Sequence, residues 1–158
     1  MRTCVSVLRP LCWLEQLMKF VIPALVAMLV VFAGLQAVRG RVAPTPEVFA
    51  EGVSLEDGIR AGTESGKPVV AVVTADWCPP CQMLKRETLS DPVVSSWMAD
   101  HAVAVYVNSD KAPESASALG VQALPTTVVL KDGKIVASKT GFLGTEDYLE
   151  FLKVASAE

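Results

Sequence analysis

The residues able to do chemistry in this chain are gathered in Trp77-Cys78-Pro79-Pro80-Cys81. Two thiols three positions apart can close into a reversible disulfide, so the spacing points to thiol redox chemistry at Cys78 and Cys81, which needs no cofactor. The setting adds to the signal. Upstream, Pro68-Val69-Val70-Ala71-Val72-Val73-Thr74 is a β-branched apolar run of the length expected for a strand buried on both faces. Downstream, Cys81 to about Thr88 reads as a helix, with Pro79 and Pro80 in its first turn, where the amide that proline lacks has no intrahelical partner. Cys78 then sits at the positive end of a helix dipole of about half an elementary charge, which favours its thiolate. Cys78 is the expected nucleophile, and Cys81, one turn inside and more enclosed, the expected resolving thiol.

The elements that must position this pair follow from pattern. Ser54-Leu55-Glu56-Asp57 is a capped helix start, and Gly62 to Gly66 ends that helix before the apolar strand. Asp91-Pro92 opens a helix to about Asp100 that is expected to bury Val93, Val94, Trp97 and Met98. Ala102 to Val107 is a second strand, and Pro113 to Leu119 a short helix closed by Gly120. Thr126 to Leu130 and Ile135 to Lys139 are strands joined by the turn Lys131-Asp132-Gly133-Lys134. A last helix from about Thr145 places Tyr148, Phe151, Leu152 and Ala155 on one face. The order α-β-α-α-β-α-β-β-α specifies an α/β domain, a sheet flanked by helices.

Ahead of it lies a different kind of segment. Phe20 to Val38 holds no charged residue, and nineteen helical positions span roughly 29 Å, close to a bilayer core of about 30 Å. The chain therefore divides into a tail (1–19), an apolar helix (20–38), a Pro/Gly-containing linker (39–47) and a domain (48–158). The apolar helix reads as a membrane anchor rather than a cleaved signal peptide, because no pair of small residues stands at A-x-A spacing near its end. Five Lys/Arg against Glu15 give residues 1–41 a charge of +4, leaving −7 for residues 42–158 out of a total of −3. An acidic domain without a basic stripe is a poor nucleic-acid binder. Cys4 and Cys12 precede the apolar helix and read as incidental thiols, so the domain has no cysteines to spare for a structural disulfide. No metal is expected: two sulfurs are too few ligands, and the one histidine, His101, reads as a surface residue.

Ala75-Asp76-Trp77-Cys78-Pro79-Pro80-Cys81, Leu124-Pro125-Thr126 before a strand, and Thr140-Gly141-Phe142 before the last helix together resemble the thioredoxin superfamily over roughly Val48 to Val154. With Thr88-Leu89-Ser90-Asp91-Pro92, the motif is most similar to the C-terminal thioredoxin-like domain of the bacterial transmembrane disulfide reductase DsbD and its anchored relatives. The resemblance implies a thioredoxin fold, a mixed central sheet with helices on its faces. It implies that Pro125 is a cis-proline facing the disulfide and that Leu124 offers its backbone to a substrate segment. It also implies that Trp77 and Gly141 line the same apolar groove. The chain departs from the family in two places. Val72 stands six positions before Cys78, where relatives often carry a buried carboxylate, which leaves Asp76, Glu87 or water as acceptors for the Cys81 proton. Pro79 replaces the glycine of thioredoxin.

Direction of electron flow depends on how strongly the Cys78 thiolate is stabilised. Neither Pro79 nor Pro80 has an amide hydrogen, and one absent charge-assisted hydrogen bond of roughly 1.5–3 kcal/mol lowers the potential by about 30–60 mV. The reading is a disulfide reductase anchored with its domain on the extracytoplasmic, periplasmic side. Its partners are exported proteins carrying disulfides or thiols, apocytochromes among them, and a membrane electron donor. An oxidase or isomerase of the same fold, or a binding module that does not turn over thiols, are the competing readings.

Overall fold

The computed structural model describes the backbone of residues 9–39, 42–50 and 52–157, and within the first of these the side chains of 18–35. Cys4 and the side chain of Cys12 lie outside the described residues. The chain forms two compact units, residues 1–41 and 42–158. The first is a helix, α1 (Arg9–Arg39), whose stretch Met18–Leu35 has a mean hydropathy of 2.3 and is long and apolar enough to cross a membrane.

The second unit is built around a four-stranded sheet of order β2-β1-β3-β4, from β1 (Val69–Thr74), β2 (Val103–Asn108), β3 (Thr126–Lys131) and β4 (Lys134–Thr140). β1 runs parallel to β2, pairing Val72 with Tyr106, and antiparallel to β3, pairing Val72 with Thr127. β4 returns antiparallel on β3 through the Asp132-Gly133 turn, where both residues have positive φ. Helices α2 (Leu55–Ser65), α3 (Pro79–Met83), α4 (Pro92–His101), α5 (Pro113–Ala118) and α6 (Thr145–Ala157) complete the predicted order.

Alternation along β1 splits the core in two, since successive side chains point to opposite faces. Val70 and Val72 join Leu84, Leu89, Met98 and Tyr148 on one face. Val69, Ala71 and Val73 join Leu55, Val105 and Leu119 on the other.

Helix α2 is capped at Ser54, whose hydroxyl accepts from Asp57 N–H at 3.1 Å, and closed by Gly66 in the left-handed conformation, φ 68°. Gly62 lies inside it rather than ending it. With Gly58 one turn earlier, it flattens the face that meets β1 and β2, so that Val69 and Val105 occupy the space a side chain would fill.

Three expectations need correction. The helix after the motif is α-helical only to Met83 and widens over Leu84–Leu89 into a π-helical turn, where Ser90 N–H reaches back five residues to Lys85 C=O at 3.1 Å. Leu84, Lys85, Thr88 and Leu89 are all buried on this turn. Val93 is 63 % exposed: α4 starts at Pro92 as expected, but only the stripe of Val94 and Met98 is fully buried, and Val93 lies beside it. Trp97 is half-buried and stacks on exposed His101 at 4.9 Å. Part of the stretch read as linker also packs onto the domain: Ala43 is 4 % exposed, and Pro46 is buried.

Gly58→Ala tests the close approach of α2. Alanine gains about 1 kcal/mol of helix propensity, but its Cβ collides with Val105 Cγ2, and overpacking costs about 1–3 kcal/mol. The expected result is a lower midpoint in urea. A second test uses Tyr148, fully buried with its hydroxyl 3.2 Å from Thr127 Oγ1. Burial pushes its phenol above the usual value, so the folded state holds this proton longer than the unfolded chain does. The stability this confers is full below about pH 10, where the unfolded phenol titrates, and falls as pH rises further. Denaturation curves of the Tyr148→Phe variant should show a shallower alkaline decline.

Candidate active site

The strand β1 ends at Thr74, and four residues later the chain turns into α3 at Cys78, which is the N-cap of that helix with φ −89° and ψ 109°. Pro79 and Pro80 fill its first positions, where missing amides cost nothing. Cys78 and Cys81 are joined as a disulfide with their Cα atoms 5.3 Å apart. Cys78 is 3 % exposed and Cys81 fully enclosed. Cys81 N–H donates to Cys78 Sγ at 3.3 Å, and Cys78 N–H donates to Ala75 C=O at 3.3 Å.

Around the sulfurs the packing is apolar: Ala75 and Leu124 close on the pair. The Leu124–Pro125 peptide bond is cis. Pro125 C=O accepts from Gly141 N–H at 2.8 Å, and Gly141 has φ 102°, a conformation that disfavours any side chain. Trp77 is 70 % exposed beside Cys78, and its indole N–H donates to Asp110 Oδ2 at 2.9 Å. Leu124 is thus brought to the disulfide, Gly141 to Pro125, and Trp77 to a loop after β2. Val72 is buried in mid-strand, and neither named carboxylate belongs to the apolar packing around Cys81. Asp76 is half-buried with Lys111 Nζ 4.0 Å away, and Glu87 is exposed.

This geometry coincides with a family match over residues 55–156 to the thioredoxin-like domain. The chain belongs to that family. Thioredoxin 1 of Synechococcus elongatus is 35% identical over 78 residues, covering 49% of this chain and 70% of its own. Thioredoxin of Bacillus subtilis is 34% identical over 87 residues, covering 53% and 78%. Among solved structures, thioredoxin NaTrxh from Nicotiana alata is 27% identical with a TM-score of 0.55, over 72% of this chain and 96% of that one. The structure of DsbH oxidoreductase, 20% identical, shares the fold with a TM-score of 0.61 over 73% and 91%. With a disulfide at a Cys-x-x-Cys site, this thioredoxin-like protein is a thiol-disulfide oxidoreductase.

Sequence reasoning missed the polar residues behind the motif. Gln82, 6 % exposed, donates through Nε2 to Ala75 C=O and Asp76 C=O, both at 3.2 Å. Lys85, 1 % exposed, donates to Ala43 C=O at 2.8 Å and lies 5.5 Å from the centre of the Tyr106 ring. The available signal was their three-residue spacing, which puts both on one face of the helix beside Cys78 and Cys81. For Asp110 no such signal exists, because its partner is 33 residues away.

The Trp77–Asp110 bond is solvent-exposed, so Asp110→Ala should cost less than about 1 kcal/mol of stability. Releasing the indole should nevertheless raise KM for a disulfide-containing peptide several-fold. Urea denaturation and steady-state kinetics separate the two effects.

Proposed function

We propose that this oxidoreductase is a membrane-anchored, extracytoplasmic disulfide reductase working through the Cys78-Pro79-Pro80-Cys81 dithiol. One observation carries the reading. With proline at both positions after Cys78, its sulfur accepts one backbone hydrogen bond among the described residues, from Cys81 N–H at 3.3 Å. A thiolate held by so few donors is weakly stabilised, and a weakly stabilised reduced form gives up its electrons readily.

In the reduced protein the Cys78 thiolate attacks one sulfur of a partner's disulfide. The partner's sulfur–sulfur bond breaks, and the leaving sulfur takes up a proton. The Cys81 thiolate then attacks the Cys78 sulfur of the mixed disulfide, closing Cys78–Cys81 and releasing the second partner thiol. Two electrons have passed to the partner, and a membrane electron donor returns them. No cofactor takes part.

Trp77, Leu124, Pro125 and Gly141 form the substrate groove in this reading. Leu124 pairs with an extended partner segment by strand addition, and the side-chain-free Gly141 leaves room for that segment's backbone. The acidic domain suits exported proteins with disulfides or thiols, apocytochromes included, rather than nucleic acid. The apolar stretch Met18–Leu35 supports insertion in the bilayer, and the basic residues Arg2, Arg9 and Lys19 ahead of Phe20 favour an inside N-terminus. Export after cleavage of the same segment is the alternative for localisation.

Equilibration with glutathione buffers tests the direction. A potential well below about −150 mV is expected, and a value above it, toward the strong oxidases, would overturn the reductase assignment. Cys81→Ser in membranes should accumulate mixed disulfides through Cys78; capture of no partner would sink the catalytic cycle described.

A further inference from the structure

Ala43 lies in the segment that enters the domain from the apolar helix, 39 residues before Gln82, yet both polar groups of its backbone are held by the motif helix. Its N–H donates to Gln82 Oε1 at 2.7 Å, and its C=O accepts from Lys85 Nζ at 2.8 Å. Both contacts are buried. The same Gln82 amide uses its two N–H donors on Ala75 C=O and Asp76 C=O, the carbonyls immediately ahead of Trp77-Cys78. One side chain therefore joins the incoming segment to the loop that carries the nucleophile. A flexible loop has no need of such a brace, and a buried amide satisfied at both ends is held to one orientation.

We propose that residues 42–49 act as a strap that positions the redox loop, with Gln82 as the positioning residue and Ala43 as the backbone group that holds it. Val42, Ala43 and Pro46 belong to the compact domain, and Phe49 packs edge-on against Tyr106 at 5.8 Å between centroids, so the strap is seated at both ends. Lys85 over the Tyr106 ring secures the middle, and the Tyr106 hydroxyl bonds to Thr74 at the end of β1. The strap, the motif helix and the strand that feeds the motif are thus tied together at a single corner. Cys78 Sγ depends on this corner. Its donor, the Cys81 amide, belongs to the braced helix, whereas the loop bearing Cys78 is held to that helix through the carbonyls that Gln82 binds. Loss of the brace lets the sulfur move away from its donor. Pro79 and Pro80 still keep the two thiols close, so the loss falls on the thiolate and not on disulfide closure.

The inference rests on thiol-disulfide exchange at Cys78 and Cys81, whichever way electrons flow. The test uses the full chain with Ala43→Pro, which removes the N–H that Gln82 accepts, Gln82→Leu, and Lys85→Met. The readouts are the rate of Cys78 alkylation by iodoacetamide in the reduced protein and the equilibrium constant with glutathione, alongside thermal midpoints. Ala43→Pro and Gln82→Leu should each slow alkylation roughly fivefold, as for loss of one hydrogen bond of about 1 kcal/mol, and shift the equilibrium toward the disulfide. The double variant should go no further than the larger single change, because both act on one brace. Lys85→Met should shift both in the same direction by less. Lower thermal midpoints with both redox readouts within about twofold of the parent would make the strap merely structural and overturn the proposal. A shift in Gln82→Leu with none in Ala43→Pro or Lys85→Met would overturn it as well, leaving Gln82 to act without the strap. Should Gln82→Leu not fold, Ala43→Pro and Lys85→Met decide the matter on the same readouts.

Discussion

Strand β1 has no solvent-facing side. Every residue from Val69 to Thr74 is buried, with β2 and β3 as its hydrogen-bonding neighbours and a layer of side chains over each face. Such a strand cannot shift register by one residue without turning each set of valines into the wrong core. Everything chemical in the protein hangs from its C-terminal end. Thr74 fixes the start of the loop, Ala75 receives bonds from Cys78 and Gln82, and the helix that begins at Pro79 points its amide end at Cys78. The other wall of the site comes from the neighbouring strand, since β3 starts at Thr126, directly after the cis Leu124–Pro125 bond. A disulfide that must open and close with little rearrangement needs this kind of fixed mounting.

The order of elements was legible because burial here follows simple periods. β1 is a six-residue run of apolar and β-branched residues, α6 repeats apolar positions at helical spacing, and Ser54, Asp91 and Gly66 punctuate helices in the usual ways. The redox pair was legible for the same reason, since local spacing suffices to recognise it. What escaped was long-range polar contact. Gln82 and Lys85 look like ordinary exposed helix residues until Ala43 is placed across them, and Asp110 looks like a loop carboxylate until Trp77 reaches it. Propensity holds no information about a partner tens of residues away. Val93 was misplaced for a related reason: it stands at the edge of the stripe that carries Val94 and Met98, and tertiary contact decides which edge residues are covered.

The polar groups near the disulfide divide the labour. None of the described bonds except the Cys81 amide reaches the sulfurs themselves; apart from the Trp77–Asp110 pair, those named here hold backbone. Gln82 holds the loop before Cys78, Thr88 holds Leu143 C=O across 55 residues, and Gly141 holds Pro125. An apolar immediate environment with polar support one layer back keeps water from the sulfurs while leaving the backbone satisfied.

The Thr88–Leu143 and Gly141–Pro125 bonds have one further consequence. From Cys81 the chain runs through the widened turn to Thr88, crosses to Leu143, passes back along three residues to Gly141, crosses again to Pro125, and returns through Leu124 to the disulfide. The circuit is closed, so the segments on either side of the disulfide are tied to each other as well as to the sheet. Adaptation on docking then falls to the visitor. In the proposed reading, where Leu124 and Gly141 line the substrate groove, a partner segment enters extended or locally unfolded and bears the ordering entropy itself, which would favour loosely structured chains over cysteines locked in a finished fold.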